Sequence, residues 1–206
     1  MADTRTTMTE DASVASRPGR RPGARERLIE AAGRLFGQVG IRAAGIDRIL
    51  AEAGVAKMSL YKHFSGKDEL VVAALHRKDE LFRETFEAMV GSRREPRARF
   101  LGVFDALEKW FGRPDFRGCL FLNAAAELVE PDCPGREVIA AHKAWVLGRL
   151  HGLSVDAGVP DPDSFAAQIM LLFDGAIARA YVTGDPAVAQ DGRAAAMALL
   201  DGALSA

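Results

Sequence analysis

The sequence predicts an all-α protein of about nine helices. Apolar residues recur three and four positions apart in successive segments, and breaks that contain Gly or Pro separate these segments. Of the 206 residues, 49 % are apolar and 27 % are charged, which is the composition of a globular chain with a substantial core. There is no run of eighteen apolar residues and no N-terminal secretory signal. We therefore expect a cytoplasmic protein with no membrane-spanning helix.

Residues Gly45 to Phe64 indicate two short helices joined by a tight turn. The first helix has apolar residues on one face, and Gly54 supplies the left-handed conformation that a sharp stop requires. The second helix buries Leu60 and Phe64, which are four residues apart. Its outer faces carry Lys57, Met58, Ser59, Lys62 and His63, with Tyr61 at the edge. Such a helix pair is typical of a helix-turn-helix, whose second helix enters the major groove of DNA.

The segment from Ala53 to Leu70, AGVAKMSLYKHFSGKDEL, resembles the DNA-binding motif of TetR-type transcriptional regulators. Ala24 to Gly40 is similar to the first helix of that family. The features that carry the resemblance are the aromatic pair in LYKHF and the KDEL that opens the next helix, and the match covers about a quarter of the chain. The resemblance implies a three-helix DNA-binding domain over residues 24–70 and a helical ligand-sensing and dimerisation domain over residues 71–206.

Charge is distributed unevenly along the chain. Residues 17–67 hold eleven Lys or Arg and four Asp or Glu, a balance of +7, whereas residues 68–206 carry a balance of −6. A basic N-terminal third followed by an acidic remainder is typical of a nucleic-acid reader with a separate second domain. Residues 1–23 are poor in large apolar groups, so we expect a disordered arm. The arginines at the end of this arm, Arg17, Arg20 and Arg21, either reach an adjacent minor groove or stay in solvent.

We expect nine residues of the N-terminal domain to contact DNA. Lys57, Met58 and Ser59 stand where base edges are read, since Lys can pair with guanine and Met can touch a thymine methyl group. The residues expected to contact phosphates are Tyr61, Lys62, His63, Lys67, Gly45 and Arg42. The sequence departs from the family near Gly45, where a Ser or Thr is usual. Gly45 offers only its backbone N–H to a phosphate, so the side-chain contact of the usual Ser or Thr is missing. Arg42 is a substitute for that phosphate contact.

The other elements follow from apolar periodicity and from end signals. The first helix ends at Gly40 and buries Leu28, Ala32, Leu35, Phe36 and Val39. Ser65 and Asp68 have capping-box spacing at the start of the fourth helix, which continues to about Val90. That helix is roughly 38 Å long and forms a rigid connection to the second domain.

Five further helices are expected after a charged break. The sixth is apolar on nearly all sides, which predicts that it is buried. The eighth and ninth follow an acidic cap and a Pro at the first helical position, at Asp161-Pro162 and Asp185-Pro186. From the fifth to the ninth helix, the expected positions are about 96–111, 118 onwards, 137–157, 162 onwards and 186 onwards.

Aromatic residues are concentrated in the second domain, where helical bundles hold pockets for small ligands. We expect a small apolar or aromatic effector, although an ordinary core is the alternative for most of these residues. The residues expected at the pocket are Phe82, Phe86, Phe104, Trp110, Cys119, Asn123, His142, Trp145 and Phe173. The last two helices, about Phe165 to Tyr181 and Ala187 to Leu204, either complete the core or form a homodimer, as the resemblance implies and as we favour.

No catalytic signature is present, because the sequence lacks GxSxG, a Walker loop, HExxH and GxGxxG. The His residues lack suitably spaced metal-ligand neighbours, so we expect neither a metal nor a cofactor. Cys119 and Cys133 are expected to be free thiols, with a redox role left open. We therefore expect a non-enzymatic transcriptional regulator that binds double-stranded operator DNA. We favour a repressor that dissociates from its operator when the effector binds. The alternatives are an activator, a constitutive DNA binder, or a degenerate member that binds a ligand or protein partner without DNA.

Overall fold

The computed structural model of the protein describes residues 22–91, 93–130 and 132–205. Within these residues it has nine α-helices and no strand, so the predicted all-α class is confirmed. The predicted N-terminal arm, up to residue 21, lies outside the described residues. The helices are α1 Ala24–Val39, α2 Ile46–Ala53, α3 Lys57–His63, α4 Lys67–Gly91, α5 Pro96–Phe111, α6 Leu120–Glu127, α7 Pro134–Asp156, α8 Pro162–Thr183 and α9 Val188–Ser205.

Helices α1, α2 and α3 pack together as a unit that we call the head. Its core includes the fully or almost fully buried side chains of Leu28, Leu35, Ile49 and Leu60. Two polar contacts join α1 to α2. Arg34 pairs with Glu52 across 2.8 Å, and Nε of Arg27 donates a hydrogen bond to the carbonyl of Ala53 at 3.1 Å. The second contact satisfies a carbonyl at the C-terminal end of α2, where the last carbonyls have no N–H partner within the helix.

The turn between α2 and α3 has the predicted conformation. Gly54 is left-handed, with φ 61° and ψ 43°, and its N–H donates to the carbonyls of Leu50 and Ala51. A residue with a Cβ is disfavoured in this region, so glycine allows α2 to stop sharply. One prediction for the head is wrong, since Val39 is 37 % exposed at the last residue of α1.

Helix α4 has 25 residues and connects the head to the other helices, because it packs against α1, α5 and α7. The predicted capping pair of Ser65 and Asp68 is wrong. The helix begins at Lys67, so Glu69 occupies its third position and reaches back to the N–H of Ser65, whose hydrogen bond to Oε2 is 2.7 Å long. This hydrogen bond lowers the pKa of the Glu69 carboxyl.

Helices α5 to α9 form a unit that we call the body, in which α8 packs against α7 and α9, and α5 packs against α9. The predicted start of α8 is confirmed, since Oδ1 of Asp161 accepts a hydrogen bond from the N–H of Ser164 at 3.2 Å. Helix α9 begins at Val188, later than predicted. Oδ1 of Asp185 accepts from the N–H of Ala187 at 2.9 Å, but the residues after Asp185 form a turn before the α-helix begins.

Helix α6 is covered on one side only, although the sequence predicts burial on nearly all sides. Phe121 and Ala124 are buried, whereas Leu120 and Leu122 are half-buried. The helix has 8 residues and packs mainly against α7, which begins at Pro134, a few residues earlier than predicted. A helix this short contacts few neighbours, so part of its apolar surface is left outside the core.

Asp79 of α4 is a buried carboxylate that joins α4 to α7. Its Oδ1 accepts a hydrogen bond from Nδ1 of the buried His142 at 2.8 Å, and its Oδ2 pairs with Arg83 at 2.6 Å. Burial alone would raise the pKa of Asp79, but the hydrogen bonds from Arg83 and His142 lower it below its ordinary value. An ionised carboxylate only accepts hydrogen bonds, so Nδ1 of His142 carries a proton.

Helix α8 keeps apolar side chains on its outer face. Leu171 is 76 % exposed and Val182 is 84 % exposed. Although the sequence has no uninterrupted run of eighteen apolar residues, α8 is long and apolar enough, by length and composition alone, to cross a membrane. A core helix of a globular protein passes the same test, and the buried side of α8, which includes Phe165, Ile169 and Phe173, packs against its neighbours α7 and α9.

We expect Asp79→Ala to destabilise the fold by about 2 kcal/mol, because it removes the acceptor of the buried His142 ring and of Arg83. Urea denaturation followed by circular dichroism measures the change. Glu84→Ala removes an exposed carboxylate from the same helix and should stay within about 0.5 kcal/mol of the parent protein. Equal stabilities of the two variants would show that Asp79 does not hold α4 against α7.

Candidate functional site

Helix α3 presents a polar and basic surface above two buried side chains. Leu60 and Phe64 are buried, as predicted. The exposed residues of the helix are Lys57, Met58, Tyr61 and Lys62, and Ser59 and His63 are half-buried. Met58 is 78 % exposed, so its thioether is accessible from outside the head. The helix contains no carboxylate that would repel phosphate, so its surface suits nucleic acid.

The other predicted DNA-contacting residues are Arg42 and Gly45, at the turn between α1 and α2, and Lys67, the first residue of α4. Gly45 is the exposed N-cap of α2, with an extended backbone and no side-chain cap. Arg42 is exposed, and Nζ of Lys67 donates a hydrogen bond to its carbonyl at 3.4 Å. The fold therefore brings together two cations that lie 25 residues apart in the sequence.

Arg25 belongs to the same surface and is absent from the sequence-based set. Its guanidinium carbon lies 5.4 Å from the centroid of the Phe64 ring, a cation–π contact that holds the charge beside the end of α3. The sequence shows Arg25 only as one of several basic residues near the start of α1. Its contact with Phe64 depends on the packing of α1 against α3, which no local pattern reports.

Glu127, the last residue of α6, ties the α1–α2 turn to the body. Its Oε1 accepts a hydrogen bond from the N–H of Ile41 at 3.0 Å, and its Oε2 accepts one from the N–H of Arg42 at 2.7 Å. We call these two hydrogen bonds the Glu127 bridge. Gly40 precedes them with φ 86°, and a Cβ at this position would lie 2.5 Å from Oε1 of Glu127. The bridge therefore depends on a glycine that ends α1.

A cavity of about 340 Å³ lies where the head meets the body. Residues of α1, α4, α5, α6, α7 and α8, and of the segment between α5 and α6, line it. Five of the residues that the sequence suggests for an effector pocket are brought together here, namely Phe82, Trp110, Cys119, His142 and Phe173. Gly33 and Gly37 of α1 also line the cavity, so a molecule inside it touches the head directly.

The other four suggested pocket residues lie outside this cavity; they are Phe86, Phe104, Asn123 and Trp145. The rings of Phe86 and Trp145 pack against each other with centroids 5.6 Å apart, and Phe104 is buried in the body. Nδ2 of Asn123 donates a hydrogen bond to the carbonyl of Arg117 at 3.0 Å. In the structure these side chains therefore support the core or a turn, because aromatic character alone does not separate a core residue from a cavity wall.

His142 has one ring nitrogen left for a ligand. Nδ1 is occupied by Asp79, and the ring stacks on Phe121 with centroids 3.6 Å apart. Burial lowers the pKa of His142 below its ordinary value, although Asp79 opposes this shift. The neutral ring with its proton on Nδ1 leaves Nε2 as an acceptor, and His142 lines the cavity.

Both cysteines are free thiols. Burial raises the pKa of the Cys119 thiol, which keeps it protonated and weakly nucleophilic at the cavity wall. Over residues 22–91, 93–130 and 132–205, no group of three His, Cys, Asp or Glu side chains is placed to hold a metal ion.

Comparison with known proteins decides the family. Residues 28–74, which run from α1 into α4, match the family model for bacterial regulatory proteins of the tetR family. The crystal structure of a TetR-family transcriptional regulator from Streptomyces coelicolor is 35 % identical, with a TM-score of 0.81, and the match covers 87 % of this chain and 95 % of that one. The chain belongs to the TetR family. Regulators of this family bind DNA operators, typically act as dimers and are typically not enzymes.

Two curated relatives of this TetR-family chain match over shorter stretches. The HTH-type transcriptional activator FasR of Mycolicibacterium smegmatis is 40 % identical over 88 residues, which are 41 % of this chain and 40 % of FasR. The HTH-type transcriptional regulator LmrA of Bacillus subtilis is 31 % identical over 124 residues, which are 59 % of this chain and 66 % of LmrA. The chain thus spans less than two thirds of either relative.

We expect Glu127→Gln to loosen the α1–α2 turn of this TetR-family chain, because an amide offers one acceptor oxygen where the carboxylate offers two. In hydrogen–deuterium exchange, the amides of Ile41 and Arg42 should exchange about tenfold faster or more. Glu130→Gln changes an exposed carboxylate close by and should leave both amides unaffected. Unchanged exchange in Glu127→Gln would mean that the Glu127 bridge does not restrain the turn.

Proposed function

We propose that this TetR-family chain is a cytoplasmic, dimeric repressor that leaves its operator when a small effector enters the cavity between head and body. The observation that carries the proposal is the exposed basic surface of α3, which rests on buried Leu60 and Phe64. In this proposal residues 24–70 read DNA, and residues 71–206 sense the effector and form the dimer. The chain carries out no catalysis and needs no cofactor.

Helix α3 enters the major groove of the operator. Lys57, Met58 and Ser59 lie in its first turn and reach base edges, where an ammonium group pairs with guanine and a thioether touches a thymine methyl group. Phosphates are contacted by the exposed and half-buried polar groups around them, which are Tyr61, Lys62, His63, Lys67 and Arg42. The N–H of Gly45 donates a hydrogen bond to the carbonyl of Ala43 at 3.0 Å and has to exchange that acceptor for a phosphate. These contacts fix the position of the head on DNA and make the affinity depend on salt.

The homodimer forms through α8 and α9. Both helices carry large apolar side chains that remain exposed in the single chain, namely Leu171, Tyr181, Val182, Met197, Leu199 and Leu204. Exposed apolar residues grouped on neighbouring helices are typical of an interface, and closed twofold dimers are the commonest assembly. The dimer holds two copies of α3 for half-sites about 34–36 Å apart, which is one turn of DNA.

Effector binding reaches the head by two routes. A molecule in the cavity touches α1 directly through Gly33 and Gly37. It also touches the start of α6, and the last residue of α6 holds the α1–α2 turn through the Glu127 bridge. Release from DNA requires only that the effector bind more tightly to the arrangement of these helices that does not fit the operator. The aromatic lining suits a small apolar or aromatic molecule.

An activator is the second candidate function, because the relative FasR is named as one. The same surfaces for DNA, effector and dimer serve both outcomes, since the direction of control depends on where the operator lies relative to the promoter. A reporter placed behind the promoter of this chain's own gene separates the two. Higher output when the chain is deleted supports repression, and lower output supports activation.

We expect Lys57→Ala to weaken binding to the DNA upstream of the chain's own gene by about 1–3 kcal/mol and to relax preference at one base pair. Lys62→Ala is the matched comparison, because it removes the same charge from the same helix. It should weaken binding to all operator variants about equally and reduce the salt slope by about one. Fluorescence-anisotropy titrations over a salt series, with single-base operator variants, measure both effects.

An equal loss on every operator variant would place Lys57 on a phosphate instead of a base edge. If the parent protein bound its upstream DNA no more tightly than an unrelated duplex, the proposed operator would be wrong. Absence of binding to any duplex at low ionic strength would support the alternative of a member that binds a ligand or protein partner without DNA.

We expect the double variant Leu171→Glu, Val182→Glu to be monomeric, because dimer formation would bury carboxylates without partners. The two residues are eleven positions apart and therefore lie on the same face of α8. Sedimentation velocity measures the assembly state. Val129→Glu alters an exposed valine outside α8 and α9 and should leave the dimer intact. If the double variant were still a dimer, the interface would not include this face of α8.

A further inference from the structure

We propose that the cavity between head and body binds an organic anion, an aromatic or apolar carboxylic acid, with Lys78 of α4 as its counter-ion. This inference rests on the proposed sensing function and specifies the class of effector that the site takes. It begins from the partners of the charged side chains in the cavity wall.

Lys78 differs from the other cations of the wall in its lack of a partner. Arg34 pairs with Glu52 at 2.8 Å, and Lys143 pairs with Asp174 at 2.6 Å. Arg117, the third other cation of the wall, donates hydrogen bonds to the carbonyls of Phe116 at 2.7 Å and Pro114 at 3.2 Å. Among the residues that the structure describes, no carboxylate forms an ion pair with Lys78 and no group accepts a hydrogen bond from it. A half-buried ammonium group at a cavity wall has lost part of its hydration without gaining an acceptor in return.

The stem of Lys78 is packed against α1. A Cβ built on Gly33 would lie 2.9 Å from Cε of Lys78 and 3.6 Å from its Cγ, so the glycine leaves the room that the lysine stem occupies. This packing limits where the ammonium group can go, and Lys78 and Gly33 both line the cavity. An anion bound to Lys78 would therefore lie beside α1 of the head.

Charged groups of both signs lie near Lys78, and each of the nearby carboxylates already has a partner of its own. Burial lowers the pKa of Lys78, the carboxylates of Glu30 and Asp115 oppose that shift, and Arg34 and Arg77 add to it. Asp115 lines the same cavity and is paired with Arg113 at 2.9 Å. Glu30 is already paired with Arg77 at 3.1 Å. A ligand carboxylate next to Lys78 would offset the burial through a charge-assisted hydrogen bond, and a neutral ligand would not.

The rest of the wall suits the apolar part of such an acid. Phe82, Trp110, Phe121 and Phe173 line the same cavity as Lys78. Its volume of about 340 Å³ is near the lower end of the range of about 300–1,000 Å³ for small-molecule pockets. A molecule of one or two rings with a short acidic arm therefore matches the cavity in size.

Acids and their amides distinguish the contribution of charge from that of shape. Matched pairs are 2-naphthoate with 2-naphthamide and 3-phenylpropionate with 3-phenylpropanamide, and quenching of tryptophan fluorescence reports binding because Trp110 lines the cavity. With the full chain, we expect the acid of at least one pair to bind about tenfold more tightly than its amide, or better. Lys78→Met should reduce the affinity for the acid to that for the amide, and Lys78→Arg should keep a preference for the acid. Lys109→Gln removes an exposed lysine and should change neither affinity.

The anion proposal is overturned if none of these acids binds, if acids and amides bind equally, or if Lys78→Met keeps full affinity for the acid. Operator titrations with the same compounds test the sensing function separately. An acid that binds through Lys78 without changing operator affinity supports the anion site and contradicts the sensing function. A neutral compound that changes the operator affinity of Lys78→Met and of the parent equally supports the sensing function and contradicts the anion site.

Discussion

The carboxylate of Glu127 is the constraint on which the relation between head and body depends. The backbone N–H groups of Ile41 and Arg42 donate to this carboxylate, which is 86 and 85 residues away in the sequence. The acceptor lies on α6, a short helix in which only Phe121 and Ala124 are buried. The same helix lines the cavity. Helix α6, which restrains the α1–α2 turn in addition to the packing of α1 against α4, is therefore only partly buried and lies within reach of a molecule in the cavity.

Local signals are sufficient to predict the head and most helix positions. The bounds of α1 and α2 agree with prediction because apolar spacing and Gly40 and Gly54 specify them within a few residues of chain. Helix α3 ends at His63, so Phe64, which the sequence predicts to lie on it, is its C-cap. Helix starts that depend on how a first turn closes, as after Asp185, are predicted less well. The contact between Asp79 and His142 joins residues 63 apart, and a lone carboxylate on a helix is normally exposed, so nothing local marks its burial.

For the functional surfaces, exposure on α3 is predictable because Leu60 and Phe64 fix which side of the helix is buried. The cavity is predictable only in part. Phe82 lines it and Phe86 does not, although the two residues are four apart on α4 and look alike in the sequence. Lys78 and Arg25 resemble solvated charges until the packing of α1 against α4 and α3 is known. Long-range packing therefore decides which polar groups a ligand or DNA can meet.

Gly40 and Glu127 limit the substitutions that each position can accept during evolution. A larger residue at position 40 would need a left-handed backbone and would also occupy the space of the Glu127 carboxylate. Either position can therefore drift only in step with the other, so homologous sequences should show them as a correlated pair. A lineage that exchanged both would have to restrain the α1–α2 turn with different atoms. In such a lineage the position of the head would depend on contacts with another part of the body, even if the DNA-reading helix stayed the same.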